Sequence, residues 1–426
     1  MKKDALQFNF SHLGCPLGEN KKLDAFITTL STGRPASYAH AIDALWLPFD
    51  PAITREVKNI KQKKVSGTLA HGFIVGIGGS SLGARAVYEA LHDASSCQLT
   101  FLDTADADVL HHAKKTITEC KRKEDFLIVL VSKSGTTTES IANFEILYAS
   151  AQEKFGDASD RVVVVTDSQS LLWQKAQEKK FSVLSIPEAV DGRFSVFSSA
   201  GLLPLAVAGI DVDGLTKGAR DIAEDCSVVS KHNPAYVWAS AQAYHYAQGT
   251  TTHNTFFFSP PCEGLGKWFR ELLGESLNKT TQEKDKEIRT SITPIVSVGS
   301  IDLHAMIPRF IDGAHDIFTT FVRAFSASDD VVIPQNTTFE ESAEKFKGKS
   351  AQEIMEVLYK GTIEEYEKHK LPFGEVSMNQ INEYAIGAWM QWRMFEVVYL
   401  GVLLGVDPFS EPAVRGYKEN VEELLG

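Results

Sequence analysis

Two short strings carry the residue types needed to hold a small anion: Val75-Gly76-Ile77-Gly78-Gly79-Ser80-Ser81-Leu82-Gly83 and Val131-Ser132-Lys133-Ser134-Gly135-Thr136-Thr137-Thr138-Glu139. Glycines let the backbone approach a ligand closely, hydroxyls add donors, and a helix N-terminus adds partial positive charge. Taken alone, the first string serves equally as a structural turn or as a dinucleotide site with Asp103 placed for a ribose. However, Ser81 stands where a third glycine belongs. The second string packs five hydroxyls into the seven residues Ser132–Thr138. In a helix interior they would compete with the backbone for hydrogen bonds, whereas at an N-terminus they can ring a phosphate beside Lys133. The plainer alternative is an N-cap, with Ser134 or Thr136 capping and Glu139 closing a capping box.

Such loops need strands behind them and helices in front. Apolar runs at Phe73–Ile77, Gln98–Leu102, Phe126–Val131, Val162–Val165 and Phe181–Ile186 alternate with helical patterns, among them Leu82, Ala86, Ala90, Leu91 and Ile141, Phe144, Leu147. This strand–helix alternation predicts an α/β fold with a doubly wound parallel sheet and helices on both faces. A second alternating region starts near Gly192, with strands expected at Thr255–Phe258, Pro294–Val298, Asp316–Val322 and Val331–Ile333. Helices are expected over Ala351–Lys368, Gln380–Leu404 and Pro412–Leu425, which makes the C-terminal segment helical. The polar stretches Asp157–Arg161 and Lys284–Arg289 read as linkers, the former only as a loop.

With 426 residues, 43% hydrophobic and 23% charged, the chain has material for two cores and the composition of a globular enzyme. Its net charge of −12, with no Lys/Arg cluster free of acidic neighbours, excludes nucleic acid as a partner but not a phosphorylated small molecule. The five cysteines (Cys15, Cys97, Cys120, Cys226 and Cys262) form no C-x-x-C pair and read as reduced thiols. No run reaches the length of a membrane span and no apolar stretch follows Lys2 and Lys3, so a cytoplasmic location without membrane contact is expected.

Together the two loops, G-I-G-G-S-x-L-G and S-K-S-G-T-T-x-E, resemble those of the glucose-6-phosphate isomerase (phosphoglucose isomerase) family. The likeness runs on through Asp191-Gly192-Arg193-Phe194-Ser195, Asn233-Pro234-Ala235-Tyr236, Gly274-Glu275-Ser276-x-x-Lys279 and Gly299-Ser300-x-Asp302-x-His304. It ends with the segment Leu404–Phe409 leading to Tyr417-Lys418. Seven strings in family order make coincidence untenable. The resemblance implies two sugar-isomerase (SIS) domains, at 45–190 and 191–410, with 1–44 and 411–426 packing on them. It further implies interconversion of glucose 6-phosphate and fructose 6-phosphate through a cis-enediol, with no metal and no cofactor.

By that resemblance Glu275 is the base that carries a proton between C2 and C1, its basicity set by burial and neighbouring charges. His304 transfers the ring-opening proton, Lys418 assists at the ring oxygen or binds substrate, and Arg193 stabilises charge on the enediolate. Gly79, Ser80, Ser132, Lys133, Ser134 and Thr137 would bind the phosphate, and Glu139 would orient His304 or a loop donor. A homodimer is implied, the histidine loop reaching the neighbouring subunit's site. Other readings of the same residues are an isomerase of a different anionic sugar, a non-catalytic sugar-phosphate sensor, and, more remotely, a nicotinamide-dependent dehydrogenase.

Some positions depart from the family pattern. Glu271 and Glu411 stand where substrate-binding glutamines are usual. A carboxylate about 4 Å from a phosphate is unfavourable by roughly 1–4 kcal/mol unless Arg270, Lys133 or Arg415 compensates. Asp191 replaces a glycine, so its backbone must avoid a glycine-only conformation or accept Asp in a left-handed one. Ala413 and Arg415 replace a Gly and a Glu of the terminal signature.

Overall fold

The computed structural model describes residues 5–31, 37–65, 67, 69–92, 97–283, 286–325, 331–410, 416, 419–421 and 423–424. Glu411, Ala413, Arg415 and Lys418 lie outside the described residues, as does much of the helix expected over 412–425. Twelve strands are described: β1 Leu6–Asn9, β2 His71–Val75, β3 Gln98–Leu102, β4 Phe126–Val131, β5 Val162–Thr166, β6 Ser182–Ser185, β7 Thr252–Phe257, β8 Thr280–Glu283, β9 Lys286–Arg289, β10 Thr293–Val298, β11 Ile317–Ala324 and β12 Phe373–Met378.

Strands β2 to β6 form one wholly parallel sheet in the order β3-β2-β4-β5-β6. Its central strands β4 (FLIVLV) and β5 (VVVVT) are buried at every residue, as a parallel sheet covered by helices on both faces requires. From β2 the chain goes first to β3 on one side, then crosses to β4 on the other. The carboxyl ends of β2 and β4 therefore flank a topological switch point, the crevice where open α/β sheets bind ligands. The glycine-rich string leaves the end of β2 and the hydroxyl-rich string leaves the end of β4.

The second sheet has the order β1-β12-β11-β7-β10, parallel except for β1, which runs antiparallel along the β12 edge with Leu6 opposite Met378. An N-terminal strand thus completes a sheet whose other members lie more than 240 residues downstream, and β12 joins it beside β11. The expected strand Val331–Ile333 is corrected: among the described residues Val332 makes an isolated bridge to Ser350 and joins no sheet, and the Val331 and Val332 side chains are exposed. The expected linker 284–289 is corrected too, because β8 and β9 pair as an antiparallel ribbon (Thr280 opposite Arg289).

Three helices position the site. Helices Leu82–Leu91 and Thr138–Phe155 follow the two loops, and helix Glu263–Leu277 follows β7 and packs on Leu82–Leu91, bringing the second sheet's crossover to the first sheet's crevice. Behind it, helix Glu383–Leu404 is buried continuously from Ala385 to Gly401 and touches helices Val212–Cys226, Pro234–Ala247 and Glu263–Leu277. That burial explains its lack of an amphipathic stripe. The string Asn233-Pro234-Ala235-Tyr236 is a helix start: the Asn233 side chain accepts from Tyr236 N at 3.0 Å, with Pro234 at the first turn.

Candidate active site

A cleft of about 380 Å³ opens at the switch point. It is lined by Ile77, Gly78, Gly79 and Ser80 of the glycine loop, by Lys133, Ser134 and Thr136 to Glu139 of the hydroxyl loop, by Asp191, Gly192 and Arg193, by Glu271 and Glu275, and by Val421.

The glycine loop is shaped by close approach. Gly78 has φ +55°, a conformation costly for other residues, and Glu271 Oε1 lies 2.8 Å from where its Cβ would be. A Cβ on Gly79 would stand 2.1 Å from the Gly192 carbonyl carbon and 2.3 Å from the Arg193 amide nitrogen. The loop therefore rests directly on the turn that carries Arg193, and Ser195 Oγ donates to the Gly79 carbonyl at 3.2 Å.

The hydroxyl loop divides its labour. Ser132 is buried; its Oγ accepts from the Gly135 amide at 3.2 Å and lies 3.3 Å from Thr137 Oγ1, so it braces the loop from beneath. Ser134 Oγ accepts from both the amide and the hydroxyl of Thr136. Thr137 occupies the N-cap of helix Thr138–Phe155 without a side-chain cap hydrogen bond, and the alternative of a capping box through Ser134 or Thr136 with Glu139 is not formed. The first-turn amides thus lack a capping side chain at the cleft, the arrangement that receives anions.

The charged groups form a connected row. Lys133 Nζ donates to the carbonyls of Glu188 and Val190 at 3.1 Å each and lies 3.4 Å from Asp191 Oδ1. Asp191 Oδ2 is 3.6 Å from Arg193 Nη2. Arg193 is wholly buried: Nε donates to Ser276 Oγ at 3.0 Å, Nη1 to Glu275 Oε2 at 3.3 Å and Nη2 to the Pro408 carbonyl at 2.9 Å. Lys279 Nζ donates to the backbone carbonyl of Glu275 at 2.6 Å and to that of Ser410, tying the helix of Glu275 to the chain beyond Pro408. Ser276, Lys279 and Asp191 are supports whose roles come from partners distant in sequence.

A family model described as phosphoglucose isomerase matches residues 53–421. Curated glucose-6-phosphate isomerases from Leptospira biflexa (33% identical over 367 residues) and Clostridium tetani (30% over 364) each match 83% of this chain and 79% of their own length. The chain belongs to the phosphoglucose isomerase family. The fold is also similar to that of a hypothetical protein from Thermus thermophilus (TM-score 0.85, 27% identity, 95% of this chain and 94% of that one). A glucose-6-phosphate isomerase from Chlamydia trachomatis shares it as well (TM-score 0.74, 21% identity, 97% and 78%).

In this member of the phosphoglucose isomerase family, Gly79, Ser80, Lys133, Ser134, Thr137, Glu139, Arg193, Glu271 and Glu275 all border one cleft, and buried Ser132 reaches it through the Thr137 hydroxyl. His304 does not border it. It is exposed on the short helix Ile301–Ala305 after β10. Asp191 resolves its glycine question with φ −74° and ψ 150°, open to any residue. Asp103, the acid a dinucleotide reading would use, is held by Arg85 Nη1 at 2.8 Å.

Proposed function

We propose that this isomerase interconverts glucose 6-phosphate and fructose 6-phosphate in the cytoplasm as a homodimer, with each cleft completed by His304 of a second copy. The phosphate sits on the uncapped amides and hydroxyls of the two loops (Ser80, Ser134 and Thr137), which leaves C1 and C2 toward Glu275. His304 moves the proton that opens the ring, and Lys418 and Glu411 contribute from the C-terminal segment. Glu275 then takes the C2 proton. Charge collects on the C1 oxygen and is met by Arg193, as a cis-enediolate that becomes the enediol when O1 is protonated; transfer of the O2 proton replaces the one O1 took up, and return of the carbon-bound proton from Glu275 to C1 leaves the 2-ketose. No redox change occurs and no cofactor takes part. Residues 45–190 and 191–410 act as the two domains whose junction holds the sugar.

The observation that supports this most is the pairing of Glu275 with buried Arg193 at 3.3 Å in a cleft lined by two anion-type loops. The exposure of His304 away from its own chain's cleft supports the shared site. The test is fructose 6-phosphate turnover followed with a coupled reporter. Wild type should turn over, and Glu275→Gln should lose about 10²–10⁴-fold in kcat, the usual worth of a positioned base. Equal rates in the two proteins would refute the assignment.

A further inference from the structure

Asp191 is the hinge of the charged row. Its carboxylate lies between Lys133 of the hydroxyl loop (3.4 Å) and Arg193 (3.6 Å), and Arg193 reaches Glu275 at 3.3 Å. Signs alternate along Lys133, Asp191, Arg193 and Glu275. The Arg193 side chain is 0% exposed and that of Asp191 19%, so solvent screens the middle of the row weakly. A guanidinium facing one carboxylate holds it ionised and makes it a poor proton acceptor. A second carboxylate on the same guanidinium shares that field and opposes ionisation of the first.

Building on the isomerase reading above, we propose that Asp191 is a positioning residue: it divides the Arg193 charge between two carboxylates and so keeps Glu275 basic enough to take a carbon-bound proton. Other charges facing Glu275 among the described residues are Lys133 and Glu139 from the hydroxyl loop and Glu271 from its own helix. Lys279 engages its backbone carbonyl. The glycine loop adds no ionisable side chain. Among the described residues, the Asp191 carboxylate touches both Lys133 of the hydroxyl loop and Arg193 beside Glu275, so its charge joins the two.

Two measurements on the full chain test this. The Glu275 carboxylate is titrated by carbon-13 NMR of protein labelled at the glutamate carboxyls, with its signal assigned by its absence from Glu275→Gln. The acid limb of the kcat–pH profile is recorded alongside. Asp191→Asn and Asp191→Gly should each move the Glu275 midpoint down by about one pH unit, with a matching move of the acid limb, while Asp191→Glu should restore it. The backbone at 191 admits all three residues. An unmoved midpoint in both neutral variants, or the same move in Asp191→Glu, overturns the proposal. An inactive wild type would instead refute the isomerase reading, and the NMR titration would still decide the role of Asp191.

Discussion

At the scale of single residues, the charge row shows how a site and a core solve the same problem differently. Arg193 is wholly buried yet satisfied by Ser276, Glu275 and the Pro408 carbonyl. His253, on β7, is also buried, but neither ring nitrogen has a hydrogen-bond partner among the described residues. Burial pushes its pKa down to about 3, and the charges of Arg393 and His245 push the same way. The unfolded chain therefore binds a proton below about pH 6.5 that the folded chain refuses. The stability this group allows is complete above that pH and is lost as pH falls toward 3. Between pH 6.5 and 5 the loss should be about 2 kcal/mol. Urea midpoints of wild type and His253→Phe should differ in pH slope by that amount over this window; parallel slopes would contradict it.

At the scale of elements, the glycine loop and the Arg193 turn behave as one unit because their backbones touch at Gly79. Gly79→Ala must push Gly192 and Arg193 away, at a cost of about 1–3 kcal/mol by overpacking, and it moves the guanidinium off Glu275. Lower denaturant midpoint together with lower kcat is expected, and a variant indistinguishable from wild type would contradict the packing argument. Legibility of the elements followed burial. β4 and β5 could be read from sequence because a strand buried on both faces is an unbroken apolar run, and helix Ala351–Lys368 keeps its expected bounds, its start fixed by a capping box of Ser350 and Glu353. β1 (LQFN) and β12 (FGEVSM) mix polar residues and glycine with apolar ones, and their pairing across the chain carries no local signal. The converse error, Val331–Ile333, came from β-branched residues on the surface. The ribbon β8–β9 (TTQE and KEIR) is polar but for Ile288 and so resembles a linker.

At the scale of the whole molecule, the two sheets contribute different halves of the chemistry. In the proposed reaction the first supplies the phosphate-binding loops at its switch point, and the second supplies Glu275 through the helix after β7 and His304 through the turn after β10. The motifs made most of these residues visible in the sequence. They could not reveal that Lys133 is engaged by Glu188, Val190 and Asp191, since those partners lie 55 to 58 residues away. Nor could they reveal that Ser132 faces the interior of its loop. With His304 exposed outside its own cleft, activity should require two copies. Mixing inactive Glu275→Ala and His304→Ala chains should restore up to roughly a quarter of wild-type activity, since half of randomly paired dimers would hold one intact site of two. No recovery after verified subunit exchange would place the histidine's work elsewhere.

The proposed reaction has Glu275 remove a carbon-bound proton from a sugar phosphate gripped by the two loops. It is tested most directly by incubating the full chain with glucose 6-phosphate in deuterium oxide and following the C2 hydrogen by NMR. Exchange of that hydrogen in wild type and its near-complete loss in Glu275→Gln are expected. Binding without exchange in wild type, or undiminished exchange in the variant, would contradict the account.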